Sequence, residues 1–305
     1  MTTFETLGLA DSLLRAVRAE GYHTATPIQL KAIGPMLAGH DVMGCAQTGT
    51  GKTAAFALPT LQRLSVASST LAVEKDSHDR SQNGRRDSHR RPAKSHRPIR
   101  SLILAPTREL AAQIGASFAT YGKFTGLRYA VVYGGIGQGP QVRALQNGVD
   151  ILVATPGRLE DLMEQGYIDL RHVEILILDE ADQMLDMGFI VPLRRIVGAV
   201  PRERQTLMFS ATMPPEIRKL AHEWLRNPTY VEVAPVATPA ELVEHSVHFV
   251  EPRDKLNKLQ HFLENTAYTR TLVFSRTKRG ADKIVKQLKE VLPKQQFQIP
   301  IQAAI

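Results

Sequence analysis

One cysteine, Cys45, stands in a chain of 305 residues, so no internal disulfide can form and no thiolate cage can hold a metal. A reducing compartment suits such a chain, and the expectation is a cytoplasmic protein. No apolar run reaches membrane-spanning length, and the start, Met1-Thr2-Thr3-Phe4-Glu5, lacks the basic region and apolar core of a signal peptide. Charge is also scarce as a global signal. The formal net charge is +8, but nine Lys/Arg against three Asp within residues 75–100 account for +6 of it. The basic pI therefore reports on one segment rather than on the whole surface. That segment, "KDSHDRSQNGRRDSHRRPAKSHRPIR", has almost no apolar residues and predicts a disordered insertion, either simply solvated or a basic arm that tethers RNA loosely. Its three histidines keep no ligand spacing and do not read as a metal site.

What is present is a regular alternation of helical and strand signals, which predicts an α/β fold with a mainly parallel sheet between helices. Short apolar runs at 41–46, 101–106, 129–133, 151–154, 174–178 and 206–209 read as buried strands, each ending in small or polar residues. In open parallel sheets ligands bind beyond the carboxyl ends of the strands, so the residues just after these runs carry the functional expectations. The first domain spans 1–233. A linker at 234–242 holds Pro235 and Pro239, and a second unit, 243–305, shows a strand-like 246–250, a helical 255–265, a strand 271–274 and a helix near 281–291. The sequence stops within an apolar run, 298–305, which predicts a piece of a longer protein cut inside its second domain.

The stretch "CAQTGTGKTA" lies where a strand hands over to a helix. The general phosphate loop has a glycine, four free positions, then Gly-Lys-Ser/Thr; here Gly51-Lys52-Thr53 fits, whereas Ala46 occupies the first glycine position. Thr48, Gly49, Thr50 and Gly51 would wrap backbone N–H groups around phosphate oxygens, Lys52 would reach the outer phosphates, and the Thr53 hydroxyl would ligate Mg²⁺. The apolar Ile175-Leu176-Ile177-Leu178 then delivers Asp179-Glu180-Ala181-Asp182 to the same sheet edge. Asp179 can hold a hydrated Mg²⁺ together with Thr53, while Glu180 orients and deprotonates water, and Lys52, Asp179 and Glu180 form the candidate catalytic set. NTP hydrolysis is the leading expectation.

Asp-Glu-Ala-Asp, in this order of motifs, resembles the DEAD-box ATP-dependent RNA helicases. "GYHTATPIQ", ending at Gln29, is similar to that family's adenine-recognition motif, with Phe4 at the upstream aromatic position. Pro106-Thr107-Arg108-Glu109-Leu110, Gly134-Gly135, Thr155-Pro156-Gly157-Arg158, the acidic tetrad and Ser210-Ala211-Thr212 follow in the family's order, and "TLVFSRTK" resembles the first RNA-contacting motif of its second RecA-like domain. The family's alanine-first loop also accounts for Ala46. One departure is Ala25, where proline is usual, which implies a looser loop and weaker adenine selectivity.

The resemblance implies a RecA-like P-loop domain followed by the start of a second one. It implies Gln29 reading the adenine edge and Tyr22 and Phe4 as base platforms, although taken singly such aromatics are more often core or surface residues, so these two roles rest on the resemblance. It places RNA on Pro106, Thr107, Arg108, Gly134, Gly135, Thr155, Pro156, Gly157 and Arg158, on the other side of the sheet, through backbone contacts that recognise shape and 2′-hydroxyls. Ser210 and Thr212 would couple the two sites through Asp182. The implied activity is an RNA-dependent ATPase that binds ATP and Mg²⁺ and opens short RNA duplexes by domain closure, with feeble hydrolysis in these 305 residues because the family's arginine finger would lie beyond them. An ATP-switched RNA clamp or scaffold without productive unwinding is one alternative, and a P-loop enzyme acting on DNA or a small molecule is a second, which the ordered motifs disfavour.

Overall fold

The computed structural model describes residues 3–79, 97–233, 244, 246–265 and 271–291. The chain divides into two compact units, 1–237 and 238–305. The predicted linker, at 234–242, falls outside the described residues.

The first unit holds a seven-stranded sheet. Its strands are β1 (Val42–Cys45), β2 (Ser101–Leu104), β3 (Tyr129–Val132), β4 (Ile151–Ala154), β5 (Ile175–Leu178), β6 (Gln205–Ser210) and β7 (Thr229–Glu232). They lie in the order β3-β4-β2-β5-β6-β1-β7, and every pairing is parallel. All six predicted strands are present, trimmed or extended by a residue or two at their ends.

Parallel strands need crossovers, and helices supply them. A short 3₁₀ turn (Phe4–Leu7) precedes α1 (Asp11–Ala19) and α2 (Pro27–Leu37). Between strands come α3 (Lys52–Asp79), α4 (Arg108–Tyr121), α5 (Gly139–Gln146), α6 (Pro156–Glu164), α7 (Ala181–Asp186), α8 (Ile190–Ala199) and α9 (Pro215–Trp224). Proline at the first helical position starts α2, α6 and α9, where a missing N–H is harmless and φ is already helical.

Helices on both faces make both faces of the strands apolar, and alternate residues serve different cores. Ile103, Ile151, Val153, Ile175, Ile177, Leu207 and Phe209 join the core that contains α1 to α4. Leu102, Leu104, Leu152, Leu176, Leu178 and Met208 join the core that contains α6, α8 and α9. Close packing fixes one glycine: a Cβ on Gly44 in β1 would lie 2.5 Å from the Phe209 ring, whose centroid is 5.5 Å from that of Phe56.

The disordered insertion predicted at 75–100 requires correction at both ends. Residues 75–79 continue α3. At the other end Arg97 pairs with Asp150 at 2.7 Å, and buried Arg100 pairs with Glu174 at 2.6 Å, so 97–100 is an anchored lead-in to β2. The charges that look solvated along the chain are matched by carboxylates more than fifty residues away. Residues 80–96 lie outside the described set.

The second unit contains α10 (Lys255–Asn265) and α11 (Lys278–Val291). The predicted strands at 246–250 and 271–274 are not strands in the structure: neither forms a ladder among the described residues, and Phe249, Leu272 and Phe274 are exposed. Apolar alternation supplies one face of a strand, but a ladder also needs a neighbour for its N–H and C=O groups. Thr277 accepts from the Gly280 N–H at 3.0 Å and so caps α11.

Candidate active site

Because all seven strands run the same way, their carboxyl ends share one edge. The phosphate loop leaves β1 there and ends as α3 begins. Gly49 and Gly51 sit at φ of 84° and 93°, in the left-handed region that glycine enters without strain. Gly51 is also sterically fixed, since a Cβ there would come within 2.6 Å of Gln29 Nε2 and 2.9 Å of Thr26 Oγ1. The loop is thereby pressed against the start of α2. Gln29 ties the two together: its Nε2 donates to the Gly51 carbonyl at 3.1 Å and its Oε1 accepts from the Thr26 N–H at 2.8 Å. One amide hydrogen and one lone pair remain for a ligand. Thr50 Oγ1 donates to the Gln47 carbonyl at 2.7 Å, closing the loop's own turn.

Across the edge, β5 ends in the acidic tetrad. Asp179 is 2% exposed and Lys52 6% exposed, and Lys52 Nζ lies 3.9 Å from Asp179 Oδ1. Lys52 Nζ has no hydrogen-bond partner among the described residues. Burial pushes the Asp179 carboxyl up to about 6, against the pull of Lys52 and with the neighbouring Glu180 charge adding to the rise. An ammonium and a carboxylate withdrawn from water at that separation are poorly compensated. Glu180 caps α7 with φ 52° and ψ 53°, a conformation that strains a residue with a Cβ. That backbone carries its side chain toward the phosphate loop, where Glu180 Oε1 accepts from Thr48 Oγ1 at 3.2 Å.

Strand β6 lies between β5 and β1, and its end connects them. Ser210 Oγ accepts from the Asp182 N–H at 3.3 Å; Thr212 donates to Asp182 Oδ2 through its N–H at 2.9 Å and its Oγ1 at 2.7 Å. Burial raises the Asp182 carboxyl, but the bonds from Thr212 and Ser210 outweigh it and hold the group below its ordinary range. Cys45 Sγ reaches the Ala211 carbonyl at 3.7 Å; burial first, then the Glu232 and Asp182 charges, push its thiol up.

The predicted RNA residues follow β2, β3 and β4. Parallel pairing puts these strand-end residues on the carboxyl edge, on the β3-β4-β2 side of the sheet, away from β1 and its phosphate loop. Pro106, Thr155 and Pro156 are buried, and Arg108 and Gly157 are exposed. Thr107 caps α4 by accepting from the Leu110 N–H at 3.2 Å. Gly135, at φ 80°, leaves room for Arg108, whose guanidinium fills the space a Cβ would take, while nothing lies within 4 Å of a Cβ built on Gly134. Arg158 Nη2 donates to the Ile136 carbonyl at 3.3 Å, and its buried Nη1 has no partner among the described residues.

The aromatic assignments fare differently. Phe4 is 3% exposed within the core, so its ring offers no open face to a base. Tyr22 is exposed; burial, with the neighbouring Tyr22 and Glu20, pushes the Tyr121 phenol up to about 12. Ala25, the position that departs from proline, is buried in the same core as Phe4. Sequence reasoning missed Thr26, whose buried Oγ1 has no partner among the described residues and abuts Gly51. The signal was there in threonine followed by proline, with glutamine three residues on, the order of a helix cap. It also missed Gln141, whose amide pairs with the main chain of Tyr133.

The donor set suits Mg²⁺. Asp179 and Thr53 supply one carboxylate and one hydroxyl, and Mg²⁺ keeps several waters and takes substrate oxygens for the rest of its shell. Among the described residues no three His, Cys, Asp or Glu gather as an all-protein metal cage. The Lys52 ammonium, without a hydrogen-bond acceptor among the described residues, and the positive-φ glycines likewise fit a phosphate group.

Comparison with known proteins points the same way. The chain is 42% identical over 294 residues to "DEAD-box ATP-dependent RNA helicase 52A" of Oryza sativa subsp. japonica, covering 92% of this chain and 47% of that protein. It is 37% identical over 286 residues to "DEAD-box ATP-dependent RNA helicase CshA" of Streptococcus pneumoniae, covering 94% of this chain and 49% of that one. The chain thus spans about half the length of the curated relatives it matches. A crystal structure of a DEAD box protein from Methanococcus jannaschii superposes with a TM-score of 0.64 at 32% identity, over 95% of this chain and 71% of that one. The DEAD/DEAH box helicase profile matches residues 26–220, and the chain belongs to that family.

Proposed function

We propose that this chain is the nucleotide-binding part of an ATP-dependent RNA helicase. The observation that carries the reading is Lys52: a buried ammonium without a hydrogen-bond acceptor, 3.9 Å from a buried aspartate, at the start of a helix behind two positive-φ glycines. Such a group is expensive unless an anion arrives, and polyphosphate is the anion that fits a strand-loop-helix cradle.

The roles follow from placement. Lys52 and the backbone of Thr48 to Gly51 receive the phosphates. Thr53 and Asp179 hold Mg²⁺, which when bound neutralises phosphate charge. Glu180, aimed at the loop and held by Thr48, takes a proton from water. Gln29 reads adenine with its remaining hydrogen-bonding capacity, and exposed Tyr22 is the ring free to stack on the base. Thr107, Arg108, Gly134, Gly135, Thr155, Gly157 and Arg158 bind the RNA backbone, with Pro106 and Pro156 setting the turns.

Asp182 is the junction between these halves. Its bonds to Ser210 and Thr212 transmit the state of the tetrad along β6. In the whole protein the reaction is RNA-dependent ATP hydrolysis that opens short duplexes. The 305-residue chain alone turns over feebly: Lys52 is the cation the described residues bring to Asp179, and P-loop NTPases gain roughly 10³ to 10⁵ from an added arginine.

The test is ATP turnover with single-stranded RNA, with single-stranded DNA and with neither, beside Glu180→Gln. RNA should stimulate where DNA does not, and Glu180→Gln should lower the rate by about 10² to 10⁴. Equal stimulation by DNA would contradict the RNA assignment, and an active Glu180→Gln would contradict the role of Glu180.

A further inference from the structure

Gln141, on α5, is a polar side chain only 6% exposed, and none of its hydrogen bonds goes to the phosphate loop or the acidic tetrad. Its amide faces the main chain of Tyr133. Oε1 accepts from the Tyr133 N–H at 3.1 Å, and Nε2 donates to the Tyr133 carbonyl at 3.1 Å. This two-bond pairing is what a neighbouring strand supplies inside a sheet. Tyr133 has need of it, because β3 is the outermost strand and its ladder ends at Val132.

Gly134 and Gly135 follow at once. The loop they begin is held at three later points: Arg108 lies in the space beside Gly135, Arg158 donates to the Ile136 carbonyl, and the Gln138 and Gln165 amides pair at 2.9 and 3.3 Å. Gln141 is the buried one of the four restraints and the one that fixes the direction in which the chain leaves the sheet.

We propose that Gln141 is a positioning residue for RNA binding: a side-chain amide that replaces a missing strand and presents the Gly134-Gly135 backbone to a phosphate. The inference rests on the RNA reading of this surface. It deepens that reading by naming what holds the surface in shape.

Gln141→Glu separates the two bonds. A carboxylate still accepts from the Tyr133 N–H but opposes the Tyr133 carbonyl with a second acceptor, and protonation restores the donor. Burial raises the carboxyl's pKa and brings that restoration into a workable range. At about pH 8, Gln141→Glu should speed amide hydrogen exchange in residues 134–138 roughly tenfold over wild type and weaken single-stranded RNA binding about tenfold, with ATP-analogue affinity unchanged. At about pH 5.5 both should return toward wild type measured at the same pH. Gln141→Met, similar in length but without polar atoms, should show fast exchange at both pH values. Wild-type exchange at 134–138 in both variants would overturn the positioning role whatever RNA does. Altered exchange with unaltered RNA affinity would overturn the link to RNA. A wild-type protein that binds no RNA would overturn the reading on which the inference rests, and the exchange result would still decide whether Gln141 restrains the loop.

Discussion

The two edges of the sheet are built on opposite terms. Where the strands begin, charges are matched: Asp41 accepts from the N–H groups of Thr206 and Arg226, both at 2.7 Å. Asp150 accepts from Arg97 and the Arg128 N–H, and Arg100 binds Glu174 through two bonds and the Leu64 carbonyl through a third. Where the strands end, Lys52 lacks an acceptor, Asp179 is held up near 6 and Glu180 occupies a left-handed conformation. Among the described residues three orphans exist at the first edge, but Ser101 Oγ is uncharged, and Arg63 and Arg204, unpartnered at Nε, still donate through Nη1 to the Leu37 and Pro201 carbonyls. One edge secures the fold. The other holds unspent interactions that only a ligand completes, the pattern expected where strain serves function.

The largest break in this comparison should come from the matched edge. Asp41→Ala orphans two backbone N–H groups and should lower unfolding stability by about 3 kcal/mol, read from urea titration, without changing nucleotide affinity. At the other edge the sign should reverse. The Asp179 carboxyl titrates at 3.8 ordinarily and near 6 in the fold, so well below pH 3.8 both states carry the proton and the residue costs nothing. As pH rises through 6 the folded state must release a proton it holds more tightly, and stability falls by about 3 kcal/mol. Asp179→Asn cannot ionise; its advantage over wild type should grow from near zero well below pH 3.8 to about that value above pH 6, while hydrolysis is lost.

Smaller effects sharpen the contrast. Glu180→Gly relieves the positive φ and should raise stability by about 1 kcal/mol even as it removes the base, measured by thermal unfolding. Thr212→Val removes one hydrogen bond to Asp182, worth about 1 kcal/mol or roughly 2–4 °C in Tm. Because the Asp182 carboxyl is held low in the fold, its contribution is present above the ordinary aspartate range and lost as the pH falls; the variant should lose less on acidification.

Much of this arrangement was legible along the chain. Six strands were visible because strands buried on both faces are continuous apolar runs, and the loop and tetrad were visible because their chemistry is compact in sequence. The illegible parts depend on distant partners. Nothing local says that Arg97 and Arg100 meet Asp150 and Glu174, that Phe4 turns into the core, or that Gln141 serves Tyr133. The apolar runs of the second unit read as strands, yet a strand is completed by its neighbour.

The central claim is that Lys52, without a hydrogen-bond acceptor of its own, waits for phosphate. Its most direct test is the thermal shift given by a Mg²⁺-ATP analogue to the wild-type protein and to Lys52→Met, each against its own ligand-free Tm. At about a hundredfold excess over Kd, wild type should gain about 2.7 kcal/mol, roughly 5–10 °C, and Lys52→Met should show little of that shift. Equal shifts in the two proteins would contradict the account, because the nucleotide would then be held without the ammonium that the fold keeps buried for it.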